Sequence, residues 1–218
     1  GEWCLMGSGS WLGNDGDTPS HMSAWCKYRL GWVDPILLEE DNYQSFLSGS
    51  DQLGLDNTEE NDGQIYKIYA DNFRWNEYFL LENRQLTGFD SEQNGTGLLL
   101  YHIDENQSFG AGSLGGMNNN NVNRKLIDIE EADGEDNLDD SDNRGDSGDP
   151  YPYLNNTDFG AMTYPDNDNY GGYSSSVELS NISESSGVIT MNVSIPPRGN
   201  GSVLSYDNGI STAYGYGA

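Results

Sequence analysis

From Val33 onward the chain presents seven short runs rich in β-forming residues: ILLEE, QIYKIYA, EYFLLENRQL, GLLLYHID, KLIDIEEA, SSVELSNIS and GVITMNVSI. Clusters of Gly, Asn, Asp and Ser close each run, which predicts short strands joined by turns and argues against an architecture of long helices. In GVITMNVSI, Val188, Thr190, Asn192 and Ser194 alternate with Ile189, Met191, Val193 and Ile195, giving one mixed face and one apolar face. QIYKIYA carries apolar residues on both faces. GLLLYHI is apolar throughout, the pattern of a central strand covered on both sides. The turns draw on 28 Gly and 7 Pro. The hydrophobic content is low at 34%, but 14 Tyr and 5 Trp bring large buried areas, so a chain of 218 residues still builds a core.

Before the strands stands the one clear helix signal, SHMSAWCKYRLGW. Thr18 or Ser20 is placed to cap it, Pro19 sits near its first turn, and Met22, Trp25, Cys26 and Leu30 fall on one stripe. Gly31 is placed to stop it. The only cysteines are Cys4 and Cys26, and neither stands in a C-x-x-C arrangement. A disulfide between them would close a loop of roughly 23 residues, contribute about 3 kcal/mol in the loop-entropy account, and imply an oxidising, extracellular setting. It would also pin the opening segment GEWCLMGSGSW to the helix. Six N-x-[ST] sequons, at Asn94, Asn106, Asn155, Asn181, Asn192 and Asn200, permit glycosylation, although a chain so rich in Asn, Ser and Thr produces several by chance.

Charge excludes some partners. With 36 acids against 9 bases the net charge is −27, which repels phosphate backbones and anionic lipid. No apolar run approaches the ~20 residues needed to span a bilayer. The acids either solvate the surface in a salty medium or bind Ca²⁺, a hard cation that takes oxygen ligands. The densest stretch, DIEEADGEDNLDDSDNRGDSGD (128–149), holds eleven carboxylates and Arg144, with Gly134, Gly145 and Gly148 permitting sharp turns. It departs from an EF-hand loop, because Arg144 occupies the fifth position of DSDNRGDSGD and no Glu stands at the twelfth. Asp142, Asp146 and Asp149 lead as calcium ligands, with Asp133 and Asp139 behind them; a plain solvated loop is the alternative. YGGYSSS (170–176) and AYGYGA (213–218) suggest either a carbohydrate platform or ordinary tyrosine packing. His21 and His102 read as satisfied polar groups or as residues facing a cleft, and His102 invites a contact with Asp104.

Six blocks carry a resemblance: LMGSGSW, PSHMSAWCKYRLGWV, YFLLENRQ, GLLLYHID, DIEEADG and GDSGDPYP. In this order, across about residues 1–195, they resemble the immune inhibitor A family of secreted bacterial zinc metallopeptidases. The resemblance implies that Leu5-Met6-Gly7 is the Met-turn of a zincin domain, with Met6 as an apolar floor beneath the metal. In that family an H-E-x-x-H helix upstream supplies two zinc ligands and the general base, so that zinc-activated water cleaves peptide bonds. This sequence contains no H-E-x-x-H: His21 is followed by Met-Ser-Ala-Trp and His102 by Ile-Asp-Glu-Asn.

The expectation is therefore an α+β, mostly β chain. Residues 1–40 carry the Met-turn and one helix of a truncated zincin subdomain, 41–195 a sandwich-like β lobe with an acidic calcium loop, and 196–218 a linker and the start of a further module. It reads as a C-terminal portion of a secreted zinc endopeptidase, inactive alone, acting on protein or peptide substrates and partnered by the missing N-terminal part or by copies of itself. The alternative is a non-catalytic, calcium-stiffened, glycosylated extracellular module. Neither reading involves nucleic acid or membrane insertion.

Overall fold

The computed structural model describes residues 1–38, 53–55, 64–69, 77–107, 119, 123–140 and 142–195. The 196–202 linker, the closing segment with AYGYGA, the Asn200 sequon and most of the Asn-rich loop lie outside these residues. Among the described residues two sheets form. Strands β1 (Ile36–Leu38), β3 (Ile65–Ile68), β4 (Glu77–Arg84), β5 (Gly97–Asp104) and β6 (Ile127–Ile129) lie in that order in the larger sheet. β1 runs parallel to β3, and the remaining pairs are antiparallel. The smaller sheet has β8 (Val188–Ser194) between β2 (Leu53–Leu55) and β7 (Glu178–Ser185), all antiparallel. All seven expected runs are strands, or hold one, at the expected places. QIYKIYA is shorter than its run, and β2 comes from a stretch with no strand signal.

Period-two alternation sorts the side chains into two cores. Phe79 and Leu81 of β4, Leu98 and Leu100 of β5, and Tyr66 and Ile68 of β3 face the smaller sheet, where they meet Leu179, Ile182, Ile189, Met191 and Val193. The apolar face expected for GVITMNVSI is the one buried there. From the opposite face, Ile65, Tyr78, Leu80, Leu99, Tyr101 and Ile103 pack under Trp3, Ala24 and Trp25. The larger sheet is thus the middle layer of three, and β5 is buried along its whole length, as a central strand.

Helix α1 spans Ala24–Arg29, shorter than the sequence suggests, and its cap is Ser23, whose side chain accepts from Cys26 N–H, rather than Thr18 or Ser20. Residues 20 and 21 are committed elsewhere: Ser20 N–H donates to Gly9 O, and His21 N–H donates to Asp90 Oδ1 at 2.7 Å. These tertiary bonds replace a helical first turn. The expected stripe is rotated as well, with Ala24, Trp25 and Lys27 buried and Leu30 exposed. Gly31 does stop the helix: at φ +69 its N–H reaches Tyr28 O, and Trp32 N–H reaches Lys27 O.

Charged residues of β4 fasten this layer to the sheet. Glu82 accepts from Lys27 Nζ at 2.8 Å and from Ala24 N–H and the Tyr101 hydroxyl. Arg84, fully buried, donates to Asp90 Oδ2, Trp3 O and His21 O. Burial alone would raise the Glu82 carboxyl, but the Arg84 and Lys27 charges outweigh it and hold it down at about 2. No helix among the described residues is long and apolar enough to cross a membrane.

Candidate metal centre

The loop 142–149 is shaped by short side chains bonding their own backbone. Asn143 Oδ1 accepts from Gly145 N–H, Asp146 Oδ1 accepts from Gly148 N–H at 2.6 Å, and Asp146 Oδ2 accepts from Asn143 Nδ2. Two backbone bonds, Ala132 N–H to Asp149 O and Asp133 N–H to Gly148 O, each 3.0 Å, lay the loop along residues 132–133. Gly148 is required by that approach, since a Cβ there would stand 2.0 Å from Asp133 Oδ2.

This folding brings Asp133, Asp146 and Asp149 together, with one carboxylate oxygen from each lying within 4.8 Å of the others. Oxygens that share a Ca²⁺ at 2.3–2.6 Å lie at most about 5 Å apart, so the spacing suits a common cation. A second observation points the same way. Asp149 is 0% exposed; its Oδ2 accepts from Trp3 Nε1 and Asp146 N–H, while its Oδ1 has no hydrogen-bond partner. A buried carboxylate oxygen left bare is costly unless a cation meets it. Burial, with the neighbouring Asp146 and Asp133 charges, pushes the Asp149 carboxyl up to about 6. Asp133 is also raised, first by burial. Glu131 is raised to about 7 by burial and the Asp149 charge. It has a different task, accepting from Asn137 and Leu138 N–H at the start of the short helix α2 (Asn137–Asp140).

Of the five aspartates named from the sequence, three converge. Asp139 instead pairs with Lys125, and Asp142 is exposed. Trp3, which holds Asp149 across 146 positions, carried no sequence signal for that role.

The remaining candidates lie apart from this centre. His102 is buried in β5, with Nε2 2.9 Å from Glu77 Oε1, Nδ1 3.2 Å from Glu130 Oε1, and its ring stacked on Tyr170 at 4.4 Å. Burial would lower its pKa, but the two carboxylates outweigh burial and push it up to about 9. It does not use Asp104, which bonds Arg124 and Asn106 instead. Glu77 and Glu130 lie two residues along from the cross-strand partners Phe79 and Asp128, within diagonal reach of His102. Tyr170 therefore serves packing rather than an open platform. His21 is half-buried, and burial lowers its pKa. Both ring nitrogens of His102 are committed to carboxylates, so this pair of histidines does not fit a zinc site.

Cys4 and Cys26 are free thiols with their sulfurs 3.7 Å apart, the pairing the sequence suggested but without the bond. Met6 stands 71% exposed on a turn held by Gly7 N–H to Cys4 O and Leu5 N–H to His21 O. Among the sequons, Asn155 and Asn181 are exposed and Asn192 is half-buried. Asn94 Nδ2 is engaged by Glu2 and Gly145 O, and Asn106 Nδ2 by Asp104. No protein-family model, curated protein or solved structure matches the chain.

Proposed function

We propose that this chain is the C-terminal portion of the catalytic region of a secreted zinc metalloendopeptidase, inactive alone, with calcium as the cation of the Asp133, Asp146 and Asp149 site. The resemblance of its ordered blocks supports this reading, and one observation carries it: Met6 projects from a braced turn with 71% of its surface exposed. A floor whose walls belong to another part of the protein would present an apolar side chain on a fixed turn in this way. Those walls are the upstream zinc-bearing segment, and peptides are the substrate class. The test is the parent gene and its product. H-E-x-x-H should stand within a few dozen residues upstream of Gly1, and the assembled parent should hydrolyse peptides in a zinc-dependent way. A parent without that motif ends the peptidase reading.

The convergence of the three aspartates also favours a second reading, a non-catalytic extracellular module stiffened by calcium and assembled with neighbours or copies. Both readings expect chelation with EDTA to lower the melting temperature of the chain. An unchanged melting temperature would remove calcium from both. Peptidase activity of the parent separates them.

A further inference from the structure

The three aspartates touch more than their own loop. Trp3, only 2% exposed, donates its indole N–H to Asp149 Oδ2, and Glu2 N–H donates to Arg144 O. Asn94 Nδ2 bridges Glu2 Oε2 and Gly145 O at 2.7 and 2.6 Å. At Gly145, with φ +125, a Cβ would stand 2.8 Å from Trp3 Nε1, so the indole edge rests directly on the loop. The same Trp3 passes its carbonyl to Arg84, and the turn beyond it carries Met6. The opening segment therefore holds one end of the Asp149 carboxylate, and the oxygen at the other end is the unpartnered one.

We infer that divalent-cation binding at Asp133, Asp146 and Asp149 and the docking of the Met6-bearing segment are one coupled equilibrium, transmitted by the Trp3 indole. This rests on the cation reading above and adds a regulatory consequence to it: free calcium sets how firmly the Met6 turn is held. The indole N–H orients Asp149 with Oδ1 available, and a cation on Oδ1 in turn fixes the carboxylate that anchors Trp3. Linkage makes the effect reciprocal, so whatever affinity Trp3 adds for the cation, the cation returns as docking of the segment.

The experiment titrates Ca²⁺ into the full 218-residue chain and its Trp3→Phe variant by calorimetry, with amide hydrogen exchange of the wild type with and without Ca²⁺. Phenylalanine keeps the apolar packing and removes only the donor. Hydrogen-bond partners of metal-binding groups typically contribute 10–100-fold to affinity, so the variant is expected to bind Ca²⁺ about tenfold more weakly. In the wild type, Ca²⁺ should slow exchange of the Glu2, Leu5 and Ser8 amides. Equal affinity in the two proteins, or exchange at those amides unmoved by bound Ca²⁺, overturns the coupling and leaves the cation site standing. No binding of Ca²⁺ to the wild type overturns both. If Trp3→Phe fails to fold, the wild-type exchange measurement decides alone.

Discussion

Single residues carry the largest electrostatic stakes. Arg84 and Lys27 face Glu82 and Asp90 in a buried group that balances two cations with two anions. Removing one member strands a charge in the interior, so Arg84→Ala is expected to cost about 3–5 kcal/mol, read as a fall in the urea midpoint. An unchanged midpoint would mean that water reaches the group. His102 works in the opposite pH direction from a paired carboxylate. Its folded pKa, about 9, lies above the ordinary imidazole value of about 6.5. The stability it contributes is therefore complete below pH 6.5 and lost as pH rises through about 9. The measurement is the stability difference between wild type and His102→Gln across that window. It should shrink with rising pH by an amount on the order of 3 kcal/mol, and a flat difference would exclude a buried imidazolium.

At the level of elements, the opening segment is held to α1 and the sheet by hydrogen bonds and two adjacent thiols. The Cys4 and Cys26 sulfurs, 3.7 Å apart, would have to close to about 2.05 Å to bond. Cys4 Sγ accepts from Met6 and Ser23 N–H, and its bond with Cys26 is the largest influence lowering its pKa, to about 5. That makes Cys4 the sulfur that attacks. With glutathione disulfide as oxidant, the two thiols should close to one bond as two electrons and two protons pass to the glutathione. Intact mass should then show the loss of two hydrogens, and thermal unfolding should shift upward by about 3 kcal/mol of stability. Full alkylation of both cysteines after oxidation would refute the pairing. Strand β8 was legible in advance because it shows its facing locally: Ile189, Met191 and Val193 point into the core two residues apart. The start of α1 was not, because the bonds that hold Ser20 and His21 extended come from Gly9 and Asp90.

Over the whole molecule, the net charge of −27 acts as self-repulsion against compaction. Raising NaCl from about 0.01 M to about 1 M shortens the screening length from roughly 30 Å to roughly 3 Å, so the melting temperature should climb with salt. A fall would mean that attractive pairs dominate the surface. At this scale the sequence by itself determined the mostly β class, the places of the main strands along the chain, the inward face of β8, the glycine that ends α1 and the loop in which acid is concentrated. Those properties depend on neighbours two to four residues apart, and local periodicity and turn chemistry record them. Only the tertiary structure decided that Asp133 joins Asp146 and Asp149 while Asp139 and Asp142 do not, and that Trp3 holds the cluster from the far end of the chain. It also decided that Met6 faces outward and that His102 lies between Glu77 and Glu130. Such choices depend on which buried groups find partners across the fold. A partner 146 positions away leaves no trace in the residues beside it.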